Sequence, residues 1–335
     1  MNPVNRPWMN VAIVLSAIGC AMALAGCPKL SDGEKDPGNP NMTFQSAQAM
    51  CTDGTNLYLT EGVASPLGTV KSVDLSVPHS TAIAEGLAHP TCIMTDGQHL
   101  YWLENDASPY GAVRSARLDG TELVTLASAI DSPHAIAINT TYVFFADRRN
   151  GVTVVNRVPK AGGETTTLAT LARDFATTLV ADESWVYFTA PYDLPNGFIG
   201  RVPVEGGGAE PVITGLGTPT AMALSGNTLC YTEKYGGQVG CVQDVTATWT
   251  PAVLTSGENV NFGSCPGLLV LDSGAVYYAV SPSVTYNRIR MVIPGYAPVD
   301  VATTEMFSTI KGMVILGAKI YWLESDSIYR TDKGF

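Results

Sequence analysis

Five acidic residues, Glu61, Glu104, Asp147, Glu233 and Glu324, each close a short apolar run, and two histidines, His89 and His134, each stand just before one. Carboxylates beside imidazoles can serve general acid–base catalysis, and carboxylates alone favour cationic or polyhydroxy ligands. Tyr110, Tyr192, Tyr235 and Tyr286 lie among Pro, Gly and Asn, where a phenol ring offers amphipathic contact area. Motifs with stricter spacing are absent: there is no Gly-x-Ser-x-Gly elbow, His-Glu-x-x-His, Walker loop, Cys-x-x-Cys or Asp-x-Asp-x-Asp calcium loop. No cofactor is therefore expected, and only an enzymatic reading would bring a divalent metal to the site.

The elements that must position these residues are copies of one stretch. LYWLE at 100–104 recurs as LYLTE (57–61), VFFAD (143–147), VYFTA (186–190), LCYTE (229–233), VYYAV (276–280) and IYWLE (320–324). Their second residues fall at 58, 101, 144, 187, 230, 277 and 321, so the spacing is 43 four times, then 47, then 44. Seven copies at that period mean a repeat architecture. Around the second copy the chain reads as four strands, a to d: 90–95, 100–104, 112–118 and 123–127, with Asp96-Gly97 and Asp119-Gly120 as tight turns. Runs such as VYFTA are apolar at successive positions, as in strands covered on both faces. Seven such sheets set radially form an all-β, seven-bladed β-propeller over residues 43–335. The last repeat supplies a, b and c and then stops, so residues 42–45 (MTFQ) are expected to close the ring as its d strand.

In such a meander the b–c loops and the d–a connections share one end, here called the loop face. The five acids, the four tyrosines, His89 and His134 all fall there. Thr177, Thr220, Cys265 and Lys311 are expected to ring the channel mouth with the histidines. His79 and His99 fall in turns at the opposite end, the turn face.

The repeat resembles the YWTD repeats of the low-density lipoprotein receptor family and related bacterial propeller repeats. Arg157-Val158-Pro159 with Gly162-Gly163, and Arg201-Val202-Pro203 with Gly206-Gly207, add to the likeness. Two features depart from it: YWTD propellers have six blades, and the final Asp is mostly Glu here. The resemblance implies the fold and carries over no ligand or catalytic residue.

The chain begins with an address. Arg6 and the amino terminus precede an apolar run over residues 11–26 that ends in small residues, too short for a span of about 20. Leu24-Ala25-Gly26-Cys27 resembles the lipobox of bacterial lipoproteins. That likeness implies removal of residues 1–26 and acylation of Cys27, and several acyl chains anchor stably in a membrane. Pro28 in place of Asp after the cysteine favours the outer membrane in that family's sorting rule. The polar, Pro- and Gly-rich stretch to residue 42 is expected to be a disordered tether of roughly 20 Å.

Cys20 leaves with the signal and Cys27 takes the lipid, so five cysteines remain and at least one lacks an intramolecular partner. Cys230 and Cys241 are expected to pair across strands b and c of the fifth blade. Cys51 and Cys92, on adjacent blades with the same strand parity, are expected to stay apart as small buried hydrophobes. With 30 acidic against 19 basic residues the net charge is −11, which disfavours nucleic acid as a partner. The expected function is that of a lipid-anchored envelope module binding a protein, peptide or glycan; the alternative is a lactonase-like hydrolase or lyase at the channel mouth.

Overall fold

The computed structural model describes residues 34–35 and 44–333, apart from 77–78, 107–110, 172–177, 192–195, 248, 262–264, 266, 284–285 and 305–308. The strands form seven four-stranded antiparallel sheets, six of them consecutive a-b-c-d meanders. Their inner strands are Ala47–Thr52, Pro90–Thr95, Ala135–Ile138, Leu179–Ala181, Pro219–Ser225, Leu269–Asp272 and Ile310–Leu316, and they neighbour one another in ring order. The fold is an all-β propeller of seven blades.

The b strand carries the core because both of its faces are covered. Tyr101, Trp102 and Leu103 are all buried, as are Tyr277, Tyr278, Trp322 and Leu323. Each large side chain removed from water contributes about 1.5–3 kcal/mol, which explains why the apolar run recurs once per blade. Threonines stitch neighbouring inner strands. The Thr178 hydroxyl donates to the Thr220 carbonyl at 2.7 Å, joining the fourth blade to the fifth.

The aspartates of the a–b turns also anchor the repeated aromatic. Tyr58, Tyr101 and Tyr187 each donate to the aspartate five residues earlier, Asp53, Asp96 and Asp182, at 2.8–2.9 Å. Each of those carboxylates also accepts two backbone N–H groups of its own turn.

Closure differs from the sequence expectation. The fourth strand of the last blade is Glu34–Lys35, pairing with Arg330 and Tyr329 of Ser327–Asp332. It lies inside the stretch expected to be a disordered tether. Of residues 42–45, the described Phe44 and Gln45 form the entry to the first blade. The Phe44 N–H donates to the Asp326 carbonyl at 3.3 Å and the Gln45 N–H to Glu61 at 2.7 Å. Those donors are therefore spent on the blade connection, and the closing strand comes from earlier in the chain. The expected signal peptide and Cys27 lie outside the described residues.

Candidate functional site

The acids expected on the loop face are not available to a ligand. Glu61, Glu104, Asp147, Glu233 and Glu324 are at most 5% exposed. Glu61, Glu104 and Glu233 each accept the backbone N–H of the residue sixteen positions earlier: Gln45 at 2.7 Å, Ala88 at 3.3 Å and Gly217 at 2.7 Å. The acid ending strand b thereby fastens the connection arriving from the previous blade. Glu324 accepts from Asn287, Thr304 and Trp322. Asp147 accepts from Arg149 at 2.8 Å and Asn156 at 3.0 Å. As the structure places them, these five are buried and hydrogen-bonded within the fold, which they brace.

Their electrostatics follow from their partners. Burial alone would raise Glu61, but hydrogen bonds from Lys71, Thr69 and the Gln45 N–H outweigh it and hold the carboxyl below its ordinary value. Burial pushes Glu233 up, opposed by the Gly217 N–H. Burial also pushes Asp147 up, against Arg149 and Asn156.

His89 and His134 are half-buried, and each engages a local carbonyl through Nδ1: Asn105 at 3.1 Å and Ser132 at 3.2 Å. His89 sits at φ +51°, a left-handed position; its N–H donates to the Val63 carbonyl at 3.1 Å and its carbonyl accepts from the Asn105 N–H at 3.1 Å. Thr220 is buried and shares a 2.7 Å hydrogen bond with Thr232. Lys311 donates to the Ala47 carbonyl, tying the seventh blade to the first. Thr177, Tyr110 and Tyr192 lie outside the described residues.

Two loop tyrosines remain in view. Tyr235 is 49% exposed, and its N–H bonds the Gly217 carbonyl at 2.9 Å. Gly217 must be glycine here, since a Cβ would stand 2.6 Å from that of Tyr235. Tyr286 is half-buried with the Arg288 guanidinium 5.0 Å from its ring centre. Leu67, in the b–c loop of the first blade, is 68% exposed on the same face.

The channel mouth is crossed by a bond that the sequence reading did not foresee. Cys92, expected to be a free buried side chain, is joined to Cys265, with Cα atoms 5.0 Å apart. Cys92 lies on the inner strand of the second blade, and Cys265 precedes the inner strand of the sixth. These blades are not neighbours, so the disulfide spans the ring. Cys265 packs against the hydrophobic clusters on both sides of the second blade. The one signal was the long interval of 47 between repeats, whose extra residues lengthen the connection carrying Cys265 inward. Beyond the disulfide, towards the turn face, a cavity of about 320 Å³ is lined by Met50, Cys51, Met94, Leu271 and Met313 among others. Cys51 is free and buried, and burial pushes its thiol far up. Cys230 and Cys241 stand directly opposite on strands b and c and are bonded, Cα to Cα 4.1 Å.

No protein-family model matches the sequence, and no curated protein matches it. Solved structures share the fold. Virginiamycin B lyase from Staphylococcus aureus, in an inactive form with quinupristin, superposes with TM-score 0.66 at 12% identity, covering 87% of this chain and 96% of that one. An oligogalacturonate lyase in complex with manganese gives 0.61 at 14% identity, over 87% and 89%. A chain of a nidogen/laminin complex gives 0.52 at 15% identity, over 74% and 93%. At such identities the likeness extends to the architecture alone: this chain is a seven-bladed β-propeller, similar in fold to enzymes and to a component of a protein complex.

Proposed function

We propose that this chain is a non-enzymatic, lipid-anchored envelope propeller that holds a protein, peptide or glycan partner on its loop face. The observation that carries the reading is how that face divides its side chains. The five motif carboxylates are buried, three of them bracing blade connections, while Tyr235 and Leu67 stand out to solvent. What stands out for a partner is aromatic and apolar contact area, typical of interface hot spots, beside the exposed cations Arg148, Arg149 and Lys234. A lactonase-like site would need free carboxylates and imidazoles around an accessible mouth. Here the carboxylates are engaged and the Cys92–Cys265 bond crosses the opening. The anchor rests on the lipobox likeness at Cys27.

The test screens the protein against glycan and envelope-protein arrays, then repeats any hit with Tyr235→Ala and Tyr286→Ala. Each substitution should weaken binding by about 1–2 kcal/mol and leave melting nearly unchanged, because loop tips contribute little to blade packing. Unfolding of both variants, or undiminished binding, counts against this face. Separately, Cys27→Ser should release the protein from the detergent phase; retention there would remove the anchor from the proposal.

A further inference from the structure

The blades repeat one geometry, so a departure at one position can be judged against its copies. On strand c, the residue paired with the second motif residue is Arg157 in the third blade, opposite Phe144, and Arg201 in the fourth, opposite Tyr187. Each guanidinium fills the seam with the next blade. Arg157 lies 4.4 Å from the ring of Tyr142 and pairs with Glu205 of the fourth blade at 2.8 Å. Arg201 lies 3.9 Å from the ring of Trp185 and 5.5 Å from that of Trp249 in the fifth blade.

In the second blade the same position, opposite Tyr101, is Ser115. Among the described residues no guanidinium lines this seam, and a cavity of about 370 Å³ lies between the second and third blades. The first blade also carries a serine there, Ser72 opposite Tyr58, but Ile83 and Leu118 pack against the cluster around Tyr58. A seam between the second and third blades without such filling is a cleft.

Its walls are polar and balanced in charge. Lys160, reaching over from the third blade, is 12% exposed, bonds Asp96 at 2.8 Å and lies 4.7 Å from the centre of the Tyr101 ring. The Tyr101 hydroxyl donates to Asp96 at 2.9 Å. Beside the cleft Arg117 pairs with Glu122 at 2.8 Å, and His99 Nε2 stands 4.0 Å from the other oxygen of Glu122. Each cation thus already has its carboxylate, so an entering ion would meet a like charge beside every opposite one. A hydroxyl both donates and accepts, and can add to such pairs without displacing either member. Val124, Leu126 and Ala161 supply an apolar wall. A cavity of this size, with a few convergent polar groups, suits a small molecule.

We propose that the cleft between the second and third blades binds a neutral, hydroxyl-rich small molecule, a monosaccharide or disaccharide. It opens on the turn face and uses none of the residues assigned to the loop face, so either assignment can fail alone.

The test is titration of the full-length chain with D-glucose, D-galactose, N-acetyl-D-glucosamine and maltose, followed by saturation-transfer NMR. At least one sugar should bind saturably in the millimolar range. Ser115→Arg, which places in the cleft the side chain that the third and fourth blades carry at this position, should weaken that binding roughly tenfold or more. Glu122→Gln, at an exposed residue, should weaken it several-fold and serves if the arginine variant does not fold. Tyr235→Ala should leave sugar binding unchanged. The proposal is overturned if no sugar binds, if binding survives both cleft substitutions, or if acetate binds in preference to every sugar.

Discussion

The N–H of Gly217 donates to Glu233 at 2.7 Å across a separation of sixteen residues, and Gln45 with Glu61 repeats the bond at the same separation and distance. The two carboxylates share a position in the repeat and differ in company. Glu61 has Lys71 at 2.8 Å, whereas burial dominates at Glu233.

The difference sets opposite pH dependences. Glu233 is raised above its ordinary value of 4.5, so its stabilising share is present below that value and lost as pH rises through the folded-state value. Glu61 is lowered, so its share is present above the ordinary value and lost as pH falls through the lowered one. Glu233→Gln should raise the melting temperature at pH 7 by a few degrees, the effect of about 1 kcal/mol, with the gain vanishing near pH 4 (roughly the ordinary glutamate range). Glu61→Gln should lower it at pH 7, and the loss should shrink in acid. Melting curves across pH decide; the same sign for both variants would refute the assignment.

Gly217→Ala should destabilise the fifth blade. The new Cβ would meet the Tyr235 Cβ at 2.6 Å and its carbonyl oxygen at 3.0 Å, an overpacking that costs about 1–3 kcal/mol. Gly208→Ala, with no atom within 4 Å of the added carbon, is the control and should melt like the parent. Denaturant titration of both measures the difference.

The two disulfides should differ in weight. Cys92 and Cys265 are 173 residues apart, Cys230 and Cys241 only 11. In the chain-entropy picture a bond closing about 100 residues contributes about 4.7 kcal/mol and one closing about 15 contributes about 3. Replacing both Cys92 and Cys265 by serine should therefore lower the denaturation midpoint more than replacing both Cys230 and Cys241. Equal losses would mean the long bond constrains little.

The closing strand gives a truncation test. Removing residues 1–35 deletes Glu34–Lys35 and its pairing with Arg330 and Tyr329, and should destabilise by about 1 kcal/mol per hydrogen bond lost. Removing only residues 1–30 should leave melting unchanged. Indistinguishable truncations would show that this pairing adds nothing to stability.

The repeat was legible because the b strand is buried on both faces, so every blade pays for its place with the same apolar run. The closing strand was not, since a two-residue edge strand pairs through backbone groups and needs no side-chain pattern. Residues 42–45 look more like a strand than Glu34–Lys35, yet the described Phe44 and Gln45 donate to Asp326 and Glu61. The site was legible only in part. Periodicity placed Glu61, Glu104 and Glu233 at one end of the blade, but spacing carries no measure of solvent access, and the N–H sixteen residues back takes them. The Asp-to-Tyr pairs at a separation of five were present in the sequence at Asp53, Asp96 and Asp182 and could have been read as anchors. Cys92 with Cys265 could not be found by parity of neighbouring blades, because their blades are not neighbours.

That bond is a chord of the ring. It leaves the third, fourth and fifth blades on one arc and the seventh and first on the other. The closing strand and the entry at Phe44 both belong to the shorter arc. If the seventh and first blades part, the chain from Cys92 to Cys265, from the second blade's inner strand through the fifth blade, remains a covalent loop that cannot unroll. Fraying from the chain's two ends is thereby confined to the first, sixth and seventh blades.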